Sequence, residues 1–470
     1  MPITSIVILM TQRGLLERVR QFFHENGEDR TIVNSTDQNG WTALHHAAFQ
    51  NRVEIARLLI EQGSSVDATI QTSEKDDGNA SPLHLACRGG ATEMMRELLQ
   101  RGANLHARDA TGRTPFVYAC EWGQLKIVQE LMQQMREHGV DAADNEKNDV
   151  THCLLATVSN DGSTPLHWTG YMRGCRFRDM FGARESSPHS KVAAFLLEYL
   201  RNCRQQKNGE NESNNMACWI NAVNSKGDTA LHVACRHGSP SVVKELLRNP
   251  SIVTRLQNKR GETALHLACW KTHLTIVQDL LQHNKNENSN VRQTLPGANF
   301  LNLTNHEDGE SALHYASRSG RVSVVNALLR QPTLNVNAGS KPFNDTALHA
   351  ACRVGNFAVV QALLSNAPSL NVNALNAKGE TAVMVTAGVA SSVNASSQAR
   401  RRSTDILLIL VLHIVSLQGC VVTQNDDRMQ STSGDPTTGR NRKRSRQQQQ
   451  QATQTPITKR RIGIHSQSSR

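Results

Sequence analysis

The chain has 470 residues, 38% hydrophobic and 20% charged, so most of it can bury apolar surface and it is not a disordered protein as a whole. Its formal charge is +11, but residues 428–470 hold ten basic side chains against the single acid Asp435, a net +9 that leaves +2 for the rest. A nearly neutral body argues against a broad phosphate-binding groove, which works by displacing many counterions. Ten cysteines without a C-x-x-C pair indicate neither a zinc site nor a redox pair and fit a reducing compartment.

In chain order, residues 1–36 read as an N-terminal capping half-repeat. The apolar run Ile6 to Met10 is too short for a signal peptide and has no positive residue before it. Leu15 to Gly27, with Val19, Phe22 and Phe23, reads as one amphipathic helix.

From Thr42 onward one motif recurs nine times. The copies are Thr42-Ala-Leu-His45, Ser81-Pro-Leu-His84, Thr114-Pro-Phe116, Thr164-Pro-Leu-His167, Thr229-Ala-Leu-His232, Thr263-Ala-Leu-His266, Ser311-Ala-Leu-His314, Thr346-Ala-Leu-His349 and Thr381-Ala-Val383. Each of the first eight is followed by apolar residues at i, i+1, i+4 and i+5, such as Val242, Val243, Leu246 and Leu247, one stripe of a second helix. A Gly stands two residues before the Thr or Ser in seven copies, and Asn344 in the eighth, where a tight turn needs positive φ. Five cysteines (Cys87, Cys120, Cys235, Cys269, Cys352) share one motif position and are expected in the core.

The unit of turn, short helix and second helix with a T-P-L-H-x-A signature resembles the ankyrin repeat. The resemblance spans roughly residues 15–415 and implies an all-α solenoid that binds partner proteins. The array is expected over 37–420, with loop insertions near 134–160, 171–190, 201–222 and 283–304, where the motif spacing lengthens; Asn208 to Asn215 and Asn284 to Asn290 read as mobile surface loop. Copy nine, with Met384 in place of His, reads as a terminal cap.

The run Ile406 to Val415 is the most hydrophobic stretch, but ten residues fall short of the about 20 a membrane span needs. It reads instead as the second helix of the last repeat, capped by Ser403-Thr-Asp405 and buried against copy eight. Residues 421–470 read as a disordered basic tail. There Arg442, Lys443, Arg444 and Arg446, followed by Lys459, Arg460 and Arg461, match a bipartite nuclear-import signal; a merely solubilising tail is the plain alternative.

No nucleophile elbow, phosphate-cradling loop, kinase signature, H-E-x-x-H or D-H-H-C motif occurs, so no catalytic residue or cofactor is assigned and an enzyme is not expected. Seven histidines at the fourth motif position could suggest a metal. The resemblance implies instead that each links neighbouring repeats through hydrogen bonds, and no metal is assigned.

Recognition is therefore expected on the concave side, where the resemblance places turn tips and first-helix ends. Arg88, Arg236, Arg318 and Arg353 share the position after the Ala-Cys or Ala-Ser pair; Phe49, Glu121, Tyr171 and Trp270 replace them elsewhere, with Trp122, His237 and Lys271 adjacent and Trp41 and Phe343 near turn tips. The functional reading is a basic and aromatic groove for an acidic partner segment with an apolar anchor. Against it stands the plain reading that Arg is simply common there. Asn337 and Asn373, in Leu334-Asn-Val-Asn337 and Leu370-Asn-Val-Asn373, resemble hydroxylated ankyrin asparagines, but turn-forming Asn is the preferred reading.

The expected function is a nuclear or nucleocytoplasmic protein-binding adaptor, served by an import receptor and acting in regulation such as transcription. Alternatives are a recruitment factor that touches nucleic acid through its tail and, less favoured, a tail-anchored membrane scaffold.

Overall fold

The computed structural model describes residues 3–26, 30–71, 78–138, 157–171, 173, 187–206, 219–290, 300–392 and 396–430. The chain divides into two units, Met1–Leu410 and Val411–Arg470. Among the described residues there are helices and isolated bridges but no extended strand.

The motif makes a helix start nine times because its first residue is an N-cap. Thr229, for example, sits at φ −84°, ψ 169°, outside the helix, and its hydroxyl accepts from the His232 N–H. In return His232 Nδ1 accepts the Thr229 N–H at 3.2 Å. This is a capping box with His where Glu or Gln usually stands, and all seven histidine copies have it. The first helices that follow are α4 (Ala43–Phe49), α6 (Pro82–Gly89), α8 (Pro115–Glu121), α10 (Pro165–Thr169), α12 (Ala230–His237), α14 (Ala264–Trp270), α16 (Ala312–Ser319), α18 (Ala347–Val354) and α20 (Ala382–Ser391). Their partners are α5 (Val53–Glu61), α7 (Thr92–Gln100), α9 (Leu125–His138), α11 (Pro188–Gln206), α13 (Pro240–Leu247), α15 (Leu274–Asn290), α17 (Val322–Leu329), α19 (Phe357–Asn366) and α21 (Ser397–Gln430).

Because Nδ1 accepts a backbone N–H, the ring proton must sit on Nε2, and that atom donates to the next repeat. His45 reaches the Ala80 carbonyl at 3.2 Å, His84 that of Arg113 at 3.1 Å, His167 that of Asp228 at 2.9 Å and His232 that of Glu262 at 3.0 Å. His266, His314 and His349 do the same to Glu310, Asp345 and Glu380. The metal-like pattern is thus a row of staples, each ring engaged at both nitrogens. Among the described residues no group of three or more His, Cys, Asp or Glu could hold a metal ion.

Packing completes what capping begins. First helices stack on first helices and second on second, burying the Leu, Ala and Cys of each motif together with the stripe of each second helix. All five motif cysteines are fully buried free thiols, raised in pKa by that burial. Each buried Leu, Ile or Val contributes about 1.5–3 kcal/mol, and the repeats share these contacts only with neighbours. Turn geometry fixes the spacing: Gly227 has φ +75°, and a Cβ there would lie 2.7 Å from the Lys259 backbone nitrogen.

Three expectations are corrected. The leading unit is a full helix pair, α1 (Ile3–Arg13) and α2 (Leu16–Asn26), not a half-repeat; Val7 and Ile8 of the Ile6 to Met10 run are buried. Asn284 to Asn290 is not loop but the continuation of α15, just as α9 and α11 run on into 134–138 and 201–206. The last helix begins at Ser397 rather than after Asp405, so Ser403 is buried mid-helix instead of capping, and the helix extends to Gln430, past the expected tail boundary at 421. In α21 Ile406 and Leu410 are buried, whereas Leu408, Val411, Leu412 and Val415 are exposed. Among the described residues no helix is long and apolar enough to cross a membrane. Residues 208–215 lie outside the described residues.

Candidate functional site

In five repeats two positions meet at the end of the first helix: the residue just before the N-cap and the residue eight further on. In three repeats an acid stands first and an arginine second. Arg236 pairs with Asp228 at 2.5 Å, Arg318 with Glu310 at 2.7 Å and Arg353 with Asp345 at 2.5 Å. Each of these three arginines of the expected basic and aromatic groove is therefore ion-paired within its own repeat.

The third repeat uses the same pair with its charges exchanged. Arg113 precedes the cap and Glu121 follows, 3.0 Å apart, with Arg113 also on Asp109 at 2.8 Å and Arg173 on Glu121 at 2.9 Å. Tyr118 donates to Asp109 at 3.0 Å. Glu121 is completely buried, so its assignment as a partner contact is overturned: Val117 replaces the staple histidine in this repeat, and a buried ionic cluster ties it together instead.

The first repeat fills both positions with aromatics, Trp41 and Phe49, in edge contact at 5.9 Å. From there a ladder climbs the stack. The Arg88 guanidinium lies 5.5 Å from the Phe49 ring and 4.4 Å from that of Trp122, and such stacking is worth about 0.5–2 kcal/mol per pair. Trp41, Phe49, Arg88 and Trp122 are thus brought together, with Phe49 exposed and the others half-buried.

A second cluster spans the middle repeats. Trp168 stacks on Tyr171 at 4.8 Å and Tyr171 meets His237 at 4.5 Å, while the Lys271 ammonium lies 4.5 Å from the Trp270 ring. Burial, then the charges of Arg236, Lys271, Arg173 and Lys226, push His237 down to about 4. At neutral pH it is an uncharged imidazole among four cations.

Phe343 stands apart at a turn tip, half exposed, with the Lys378 ammonium 5.8 Å from its ring. The Asn337 amide bridges two fingers, donating to the Ser369 carbonyl at 2.7 Å and accepting the Asn371 N–H at 2.8 Å. Asn34, Asn221 and Asn302 make the same two-way bridge in other repeats, an inter-repeat lock not legible in the sequence because both partners of each Asn lie in the next finger. Asn373 is exposed, its N–H bound to Asn371. Arg442, Lys443, Arg444, Arg446, Lys459, Arg460 and Arg461 lie outside the described residues.

The family profile described as ankyrin repeats (three copies) matches residues 4–72, 66–144, 190–293 and 284–374, so the chain belongs to the ankyrin-repeat family. Among curated relatives, human Rabankyrin-5 is 28% identical over 247 residues, 47% of this chain and 20% of that protein. Palmitoyltransferase Hip14 of Drosophila melanogaster is 39% identical over 106 residues, 23% of this chain and 15% of that protein. Human Neurogenic locus notch homolog protein 1 is 30% identical over 159 residues, 34% of this chain and 6% of that protein. The aligned region thus spans a fifth or less of each relative. The solved ankyrin repeat domain of Bcl-3, a member of the IkappaB protein family, is 25% identical at a TM-score of 0.41, covering 63% of this chain and 98% of that domain. Ankyrin repeats serve protein–protein interaction, and that coarse role is this chain's.

Proposed function

We infer that the chain is a non-catalytic scaffold that holds partner proteins on the finger and first-helix side of its array and works in the nucleus. The observation that carries the reading is the set of exposed aromatic and basic side chains at the variable positions of an otherwise uniform stack: Phe49, His237, Trp270, Lys271 and Phe343 differ between repeats whose caps and staples are the same. Structural positions are held constant by the staples, so surface variation there is available for recognition.

The nuclear part rests on the two basic clusters of the tail and on a body close to neutral. Changing Lys443, Arg444, Lys459, Arg460 and Arg461 to alanine is expected to move a fluorescent fusion of the full chain from nucleus to cytoplasm. Unchanged localisation would reject the import signal. Tail-borne nucleic-acid contact is the second reading, favoured by the same ten basic residues; DNA retention that falls steeply with moderate salt would support it.

A further inference from the structure

We propose that Trp270, Lys271, His237 and Lys226 form a docking site for an acidic peptide segment that carries one bulky apolar side chain. The proposal rests on the scaffold reading above and deepens it by naming the site and the partner chemistry.

Trp270 occupies the position where three other repeats carry the ion-paired arginine. Its own repeat keeps the matching acid, Glu262, but gives it other partners: Asn258 donates to it at 3.1 Å and the Tyr315 hydroxyl, from the next repeat, at 2.9 Å. The fold's need for that acid's counterpart is met without Trp270. The indole is left 49% exposed, its ring in contact with the flexible Lys271 beside it in the chain. An indole face open to water in a rigid stack is a natural seat for an apolar or aromatic side chain.

The charges left without an ion pair at the site are two lysines. Lys226 and Lys271 are exposed, and among the described residues neither has a carboxylate within ion-pair distance. Both act on His237, as do Arg236 and Arg173, which are themselves paired with Asp228 and Glu121; the Tyr171 ring lies 4.5 Å from that of His237. An entering carboxylate meets two ammonium groups and a neutral imidazole able to donate one hydrogen bond.

The other candidates on the same side are already engaged. Phe49 and Trp122 both lie against the Arg88 guanidinium, and Arg318 and Arg353 hold acids of their own repeats. Phe343 has the Lys378 ammonium 5.8 Å from its ring.

The test is selection of random peptides displayed on phage, with the full-length chain as bait. Enriched peptides are expected to place Asp or Glu beside Trp, Phe, Leu or Met. A representative synthetic peptide should lose at least about ten-fold in affinity to the Trp270→Arg variant, and as much to Lys226→Glu with Lys271→Glu. Trp270→Arg installs what three sister repeats already carry, so the array stays folded; Lys126→Ala, at an exposed position of the second helix α9, should leave the affinity unchanged. Selected peptides that lack acid, peptides that bind these variants normally, or no enrichment at all would each overturn the site. The scaffold reading is separate: it stands if partner proteins are still captured through another part of the array.

Discussion

Arg113→Glu is expected to destabilise the third repeat by roughly 3–5 kcal/mol, the cost of leaving buried charge without its partner. Arg113 is almost wholly buried between Asp109 and Glu121, which are buried as well. Glutamate at 113 would place three carboxylates in one apolar pocket, with Arg173 as the remaining cation on Glu121. Other repeats show how to repair it. The fifth repeat builds the same positions from Asn224, Asp228 and Arg236, with Asn224 Oδ1 accepting the Asp228 N–H at 3.0 Å. Asp109→Asn, Arg113→Glu and Glu121→Arg together restore that order of amide, acid and arginine, with Glu for Asp, and should recover more than half of the loss, short of full recovery because Arg173 then faces an arginine. Hydrogen exchange on α8 and α9 reads the effect repeat by repeat. A single variant within about 0.5 kcal/mol of the parent would contradict the account of this cluster.

Acid is expected to weaken the whole stack well before the carboxylates titrate. Burial pushes His45, His84 and His266 down to about 4 from an ordinary 6.5, and lowers His167, His232 and His314 for the same reason. The unfolded chain then binds protons at pH 6.5 that the folded chain refuses until about pH 4. Stability is therefore full above pH 6.5, falls as pH drops towards 4, and levels off for these groups below it. At about 1.36 kcal/mol per pKa unit, His45, His84 and His266 alone each cost up to roughly 3 kcal/mol. Thermal unfolding followed between pH 7.5 and pH 4 should show a loss that begins near 6.5 and shrinks in a His266→Gln variant. An onset only near pH 4 would mean that the rings are already charged in the fold.

The stack itself is legible in the sequence because its rules are local. A Thr that caps, a His three residues on and a Gly that turns recur at fixed spacing, and a neighbour-to-neighbour architecture needs little more. The surface was harder to read. The acid partners of Arg236, Arg318 and Arg353 are not evident from the repeat motif because they stand eight residues earlier, although Asp228, Glu310 and Asp345 repeat at that spacing. Glu121 misled for the same reason, since exchanging the pair's charges hides it from a search for arginine. Helix α1 has no Thr-x-x-His start, so its apolar run gave no helix signal, and the Asn-rich end of α15 has loop-like composition while continuing a helix already nucleated upstream. Trp270 was singled out, but only the alternative partners of Glu262 explain why it is free of structural duty.

The central claim, that partners are held by the finger and first-helix side, is tested most directly by affinity capture from cell lysate with mass spectrometry. Full-length chains carrying Phe49→Ala, Trp270→Arg and Lys271→Glu on that side would be compared with chains carrying Arg57→Ala, Arg96→Ala and Lys126→Ala on the second helices. The account predicts that partners kept by the second-helix variant are lost from the first; partners lost from the second-helix variant and kept by the first would contradict it.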